Sequence, residues 1–115
     1  MDPSCLFCKI AARQIPAKIV LESERVIAFE DRDPQAPTHV LLIPREHVPS
    51  SLHVTAANHA VVGELVELAS RVARERGFAE DGYRLVFNTN RAAGQTVFHL
   101  HLHLLGGRSF GWPPG

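Results

Sequence analysis

The chain has no excess of charge of either sign, with twelve Lys and Arg against twelve Asp and Glu in 115 residues. A protein that grips nucleic acid through its overall field needs a surplus of cations, so any partner here has to be recognised locally. Long apolar runs are missing as well. No segment approaches the ~20 apolar residues a membrane span requires, and the opening Met1-Asp2-Pro3-Ser4-Cys5 has neither the charged region nor the apolar region of a secretory signal. These absences point to a soluble, cytoplasmic protein with no nucleic-acid and no membrane partner. Repeats, low-complexity tracts and an interdomain linker are also lacking, so residues 1–115 are expected to form one domain, with 45% apolar residues to bury as a modest core. Cysteine occurs only twice, at positions 5 and 8.

Against this plain background, one stretch stands out. Residues 97–105 read Val-Phe-His-Leu-His-Leu-His-Leu-Leu, with three histidines alternating with large apolar residues. A strand sends alternate side chains to opposite faces, which would put Val97, His99, His101 and His103 on one face and Phe98, Leu100, Leu102 and Leu104 on the other. Neighbouring histidines would then sit about 6.8 Å apart at their Cα atoms, close enough to act on one group or to divide between adjacent sites. A half-exposed strand whose polar face happens to be histidine is the bland reading, and it suits a single imidazole better than three. Imidazole is a nucleophile, a general acid or base and a metal ligand, and the strict apolar interleaving argues against a mere metal-binding tract.

The remaining pattern is short and mostly extended. Residues 5–12 form a short helix or turn, and 18–22 and 26–30 form an antiparallel hairpin. Pro34 and Pro37 make 31–38 a loop, and 39–44 is an apolar run suited to a buried strand. From Thr55, taken as an N-cap, Val61, Leu65, Leu68 and Val72 recur on one helical face, with Val62, Val66, Ala69 and Ala73 beside them, until Gly77 ends the helix. That width suits packing against both its own sheet and a second copy of the chain. Strands at 83–88 and 97–105 flank a polar, glycine-containing loop. The expected class is α+β, one long helix covering a sheet.

Cys5 and Cys8 are spaced C-x-x-C, which fits a zinc half-site, a redox pair or two unrelated thiols. A thioredoxin-like role would want a strand before the pair, and none precedes it. Zinc would need two more ligands, for which His39, His47 and the three alternating histidines are candidates; His53 and His59 read as solvated side chains near the helix start.

Taken together, Pro16-Ala17-Lys18-Ile19, Ala36-Pro37-Thr38-His39, Ile43-Pro44-Arg45-Glu46-His47, Gly94-Gln95-Thr96-Val97, the histidine run, Leu105-Gly106-Gly107-Arg108 and Trp112-Pro113-Pro114-Gly115 closely resemble the histidine triad (HIT) superfamily. Within it, the Gly-Gly-Arg and Trp-Pro-Pro-Gly segments resemble the Hint branch, the histidine triad nucleotide-binding proteins. The resemblance extends from about Phe7 to Gly115. It implies a five-stranded antiparallel sheet with one long and one short helix, joined across a homodimer into a ten-stranded sheet. It also implies a bound purine nucleotide, such as an AMP or GMP derivative, and hydrolysis of nucleoside phosphoramidates or acyl-nucleotides through a covalent nucleotidyl-histidine. By that likeness His101 is the nucleophile, His103 binds the phosphate and His39 holds the reactive imidazole in register. Asn88, Gly94, Gln95 and Thr96 would address phosphate oxygens and the leaving group, Asp31 the ribose, and Ile10 and Phe29 the base. Many Hint proteins have Ser at the position of Thr96. A dinucleoside polyphosphate hydrolase and a nucleotide-binding scaffold are the alternative readings. Members with an N-terminal C-x-x-C resemble one another in holding structural zinc, and the matching ligands here are Cys5, Cys8, His47 and His99, with no redox or organic cofactor.

Overall fold

In the computed structural model, which describes residues 2–115, five antiparallel strands form one sheet. They are β1 (Ile19–Glu22), β2 (Val26–Glu30), β3 (Thr38–Pro44), β4 (Tyr83–Val86) and β5 (Leu102–Gly106), in the spatial order β1-β2-β3-β5-β4. Two α-helices accompany them, α1 (Leu6–Ala11) and the long α2 (His59–Glu75). The expected α+β class and five-stranded antiparallel sheet are both present.

Strand β3 is central, and all seven of its residues are buried because both sheet faces are covered. Its alternation sorts the core into two clusters. Val40 and Leu42, with Val26, Ala28, Leu102 and Leu104, face α2 and meet Leu65, Ala69 and Val72. Leu41 and Ile43, with Ile27 and Phe29, face the other way and meet Phe7, Cys8 and Ile10 of the N-terminal segment. One sheet face therefore carries the large helix, and the opposite face carries α1 and the histidines.

Helix α2 begins later than Thr55. The Thr55 N–H donates to Asn58 Oδ1 at 2.7 Å and the Ala57 N–H to Thr55 Oγ1 at 3.2 Å, so these short polar side chains hold a turn and Asn58 becomes the N-cap. The other end follows the sequence pattern. Gly77 has φ 84°, its N–H donates to Arg74 O, and the Phe78 N–H donates to Ala73 O, the paired bonds of a glycine-terminated helix.

The histidine strand is also shorter than expected, covering 102–106 instead of 97–105. The β3–β5 ladder runs from Thr38↔Gly106 to Leu42↔Leu102 and stops two residues short of Pro44, which has no N–H to give it. Beyond that point the Leu100 N–H donates to Val48 O instead. Alternation survives through residues 99–104, with Leu100, Leu102 and Leu104 in the α2 cluster. It fails at Phe98, which is 49% exposed and outside the core. Strand β4 likewise ends at Val86, two residues before the expected limit.

The Gly-Gly pair after the histidines has a steric reason. A Cβ on Gly106 would overlap the Phe78 ring, and one on Gly107, at φ 89°, would lie 2.9 Å from Pro37 Cβ. The close approach lets β5 run past the end of α2 while the chain turns over the 31–38 loop.

Candidate active site and metal centre

On the face away from α2 lies an open cleft of about 880 Å³, walled by Phe7, Ile10, Phe29 and Leu41 and edged by Asp31 and Thr96, with His39, His101 and His103 on its floor. A second depression, of about 680 Å³ between β4 and the C-terminal segment, contains none of the histidines.

Main-chain partners fix which nitrogen of His101 and of His39 carries the proton, and His39 in turn fixes His103. The His99 carbonyl can only accept, so His101 Nδ1–H donates to it at 2.7 Å, leaving the Nε2 lone pair for the cleft. The Gln35 N–H donates to His39 Nδ1 at 3.0 Å, which places the proton of neutral His39 on Nε2. From there it is donated to His103 Nδ1 at 2.9 Å, with Asp31 Oδ2 at 3.4 Å from the same nitrogen. His103 is left with Nε2–H to offer. The two cleft imidazoles are thus complementary, one presenting a lone pair and the other a donor, with ring centroids 5.0 Å apart.

Burial favours the neutral rings. Loss of hydration pushes His103 down to about 4, helped by the neighbouring His101 and His39, and burial likewise lowers His39 and His101. In His101 the His99 carbonyl and the Asp31 carboxylate act in the opposite sense.

One assigned contact differs from expectation. His39 holds His103 and does not reach His101, because the register sets His39 opposite Leu105 and Leu41 opposite His103. His101 lies two positions further along, and its orienting partner is the main chain of His99. Asn88 and Gly94 lie outside the cleft lining, and so does Gln95. Buried Gln95 spends its amide on the loop: Nε2 donates to Pro49 O and Val97 O, while Oε1 accepts from the Asn90 N–H. Gln95 thereby fixes the 90–97 segment that presents Thr96 to the cleft. Phe7, absent from the sequence-derived site, is a principal wall; its place between the two cysteines was the only signal available.

At the far end of the same sheet face, the four expected metal ligands converge. Cys5 Sγ lies 3.3 Å from His99 Nδ1, Cys8 Sγ 3.5 Å from the same atom and 3.3 Å from His47 Nδ1, and the two imidazole nitrogens are 3.3 Å apart. A tetrahedron built with ordinary zinc–sulfur and zinc–nitrogen bonds has ligand–ligand spacings of about 3.3 to 3.8 Å. The donor set fits zinc on both chemistry and spacing. Preparation extends beyond the four atoms. His99 Nε2–H donates to Pro44 O at 2.7 Å, which aims the Nδ1 lone pair into the cluster, and Asp2 Oδ2 stands 3.9 Å from His47 Nε2. Cys5 caps α1, its sulfur accepting the Cys8 N–H at 3.3 Å, so one turn of helix brings both thiols to one side. Burial raises the Cys5 thiol, and a cation's charge is what would favour its thiolate.

Fold and site together define a small α+β class in which a β-strand and the segment before it aim tautomer-locked imidazoles into a cleft beside a Cys2His2 donor set. The HIT domain family matches residues 12–110. Among similar chains, the purine nucleoside phosphoramidase of Escherichia coli K12 is 47% identical over 111 residues, covering 96% of this chain and 93% of its own. A HIT-like protein of Synechococcus elongatus is 49% identical over the full length of both. The crystal structure of a HIT family hydrolase from Legionella pneumophila superposes with a TM-score of 0.95 at 48% identity, covering 97% of this chain and 100% of that one. The chain belongs to the HIT family.

Two outcomes follow from this geometry. Protein purified without chelator is expected to carry about one zinc per chain, and the Cys5→Ser, Cys8→Ser double variant to carry none and to melt earlier. Elemental analysis and calorimetry check this, and a metal-free wild type would overturn it. The second outcome concerns His39 and His103. In the unfolded chain both take up protons near pH 6.5, whereas folded His103 does so only near 4. The unfolded state therefore binds more protons between those values, so their contribution to stability is whole above pH 6.5 and is lost as pH falls towards 4. Melting temperatures of the zinc-free double variant at pH 7.5 and 5 should show the fall, and a His103→Asn change should reduce its steepness.

Proposed function

We propose that this protein hydrolyses purine nucleoside phosphoramidates, releasing the nucleoside monophosphate through a nucleotidyl group carried on His101. The observation that carries the reading is the locked His101, whose Nδ1–H is held by the His99 carbonyl while Nε2 faces a cleft with an apolar wall and the Asp31 carboxylate at its edge. The name of the 47% identical E. coli relative supports the substrate class.

In this reading Ile10 and Phe29 sandwich the base, Phe7 closes the wall, and Asp31 accepts hydrogen bonds from the ribose hydroxyls. His101 Nε2 attacks the α-phosphorus, forming a P–N bond to the ring as the P–N bond to the leaving amine breaks; the amine departs with a proton drawn from solvent, which the water of the second step returns. Water then attacks the same phosphorus, the bond to Nε2 breaks, and the imidazole is restored as the monophosphate leaves. Dividing one hard displacement into two easier ones is the advantage of the covalent route. His103 Nε2–H donates to the phosphoryl oxygens as charge builds there, backed by His39 through Nδ1. Thr96 serves the leaving-group side, and Asn88 supports that side from outside the cleft; the N–H groups of Gly94 and Gln95 are taken by Arg91 O and Asn90 O and hold the loop that presents Thr96. Cys5, Cys8, His47 and His99 would hold zinc as a structural tie between the N-terminal segment and the sheet, because four protein ligands leave no open position.

The working form is a homodimer, with each protomer contributing five strands to a continuous sheet. Strand β4 lies at an edge of the sheet, paired to β5 alone, and Val66 on α2 is 39% exposed. Sedimentation velocity should find a dimer at micromolar concentration, and a stable monomer would count against the ten-stranded sheet.

Replacing His101 by Ala is expected to abolish turnover of adenosine phosphoramidate while leaving the fold and AMP binding in place. Rapid alkaline denaturing quench of wild type with labelled substrate should leave the nucleotidyl label on His101. Label on His103 would overturn the assignment, and turnover by the His101→Ala variant would remove the covalent route.

A further inference from the structure

Phe7 sits between the two cysteines, fully within the N-terminal helix turn, and its ring is buried. Three other rings surround it. It meets His101 edge-on at 5.1 Å between centroids and 87°, Phe29 at 5.5 Å and 75°, and His99 at 6.1 Å and 69°. His101 is therefore confined by its bond to the His99 carbonyl, by Phe7 and by His103.

Two of those three constraints originate in the Cys2His2 cluster. His99 contributes its ring to the cluster and its carbonyl to His101, and Phe7 is joined on one side to Cys8 and through Leu6 to Cys5. Residue 99 lies before the first hydrogen-bonded position of β5, so the sheet ladder does not hold it. What holds it is its ring, between Pro44 O and the thiols, and the Leu100 N–H of the same peptide unit, which donates to Val48 O beside the ligand His47.

We propose that Phe7 is a positioning residue for the His101 imidazole, and that through Phe7 and the His99 carbonyl the metal centre sets the aim of the nucleophile. The claim rests on His101 being the nucleophile, as proposed above. With the cluster closed, the turn at residues 5–8 is drawn towards His47 and His99, pressing the Phe7 edge against the imidazole. With the cluster open, the Phe7 wall is released and the 99 carbonyl keeps only the bonds from its own peptide to Val48 O and from the His99 ring to Pro44 O, so two of the three constraints on the imidazole loosen. Misplacement of a reacting atom by about 1 Å costs roughly 100-fold in rate, which sets the scale of the effect.

The test compares wild type, Phe7→Ala, the Cys5→Ser, Cys8→Ser double variant and the triple variant, on adenosine phosphoramidate, with His101→Ala as control. Phe7 also lines the cleft, so loss of a base contact alone would raise KM and leave kcat unchanged. Positioning instead predicts that kcat falls by roughly 10- to 100-fold in Phe7→Ala and in the double variant. It further predicts that the triple variant is no slower than the worse of the two, since the double variant already loosens the constraint that Phe7→Ala removes. A readout independent of turnover is the His101 Nδ1 proton, followed by NMR, which should exchange with solvent faster once zinc is removed. If Phe7→Ala does not melt cooperatively, Phe7→Leu, which keeps apolar volume but not the ring edge, takes its place. Unchanged kcat in the Phe7 variant, multiplicative losses in the triple variant, or a proton exchange rate indifferent to zinc would each overturn the proposal. If His101→Ala is inactive while Phe7→Ala keeps full kcat, positioning alone fails; if His101→Ala still turns over, the nucleophile assignment fails and the positioning role falls with it.

Discussion

A neutral imidazole has one proton and one lone pair, and its chemistry depends on which nitrogen has which. In this protein that choice is made by the backbone. The carbonyls of His99 and Pro44 accept hydrogen bonds from the His101 and His99 rings, and the N–H of Gln35 donates one to His39. None of these groups ionises near neutral pH, so the assignment persists as long as the main chain stays in place. The sheet, the terminating proline of β3 and the loop before it all serve to hold those three main-chain groups where side chains can find them.

The dependence explains the placement of irregular structure. Were β5 to continue through His99, the main-chain groups around His99 and Pro44 would be drawn into the ladder. Ending it at Leu102 leaves the Pro44 carbonyl for the His99 ring and the His99 carbonyl for His101. The same interruption sends His99 and His101 to different tasks although they are two residues apart. Burial then disfavours the competing charged state, pushing His103 down to about 4.

Much of this was legible in the sequence because it rests on period and spacing. The buried run at β3, the apolar stripe of α2, the glycine that stops it and the five-strand count are written in hydrophobicity alone, and Cys5, Cys8, His47 and His99 do meet. What escaped depends on register and on competition for hydrogen bonds. The partner of His39 could be told only from the offset between β3 and β5, the start of α2 was decided by the Asn58 and Thr55 side chains accepting from the Thr55 and Ala57 N–H groups, and Gln95 was claimed by main-chain groups of Asn90, Val97 and Pro49. Phe7 had no periodic partner, since it meets His101 across 94 residues of chain. Phe98 looked like core because alternation was extended past the end of the ladder.

The neutrality of the cleft floor has a bearing on the end of the catalytic cycle. Where many phosphate-handling proteins set guanidinium or ammonium groups directly against their ligand, the floor here offers uncharged rings, and the cations Lys18 and Arg32 lie at the exposed edge. In the proposed reaction a phosphoramidate bears one negative charge, whereas the monophosphate that replaces it gains a second as it loses its remaining proton. A lining that stabilises through oriented dipoles distinguishes little between those two states, while water strongly prefers the more highly charged one. Solvent thus competes better for the product than for the substrate, and the cleft empties because its ligand has become too hydrophilic to stay.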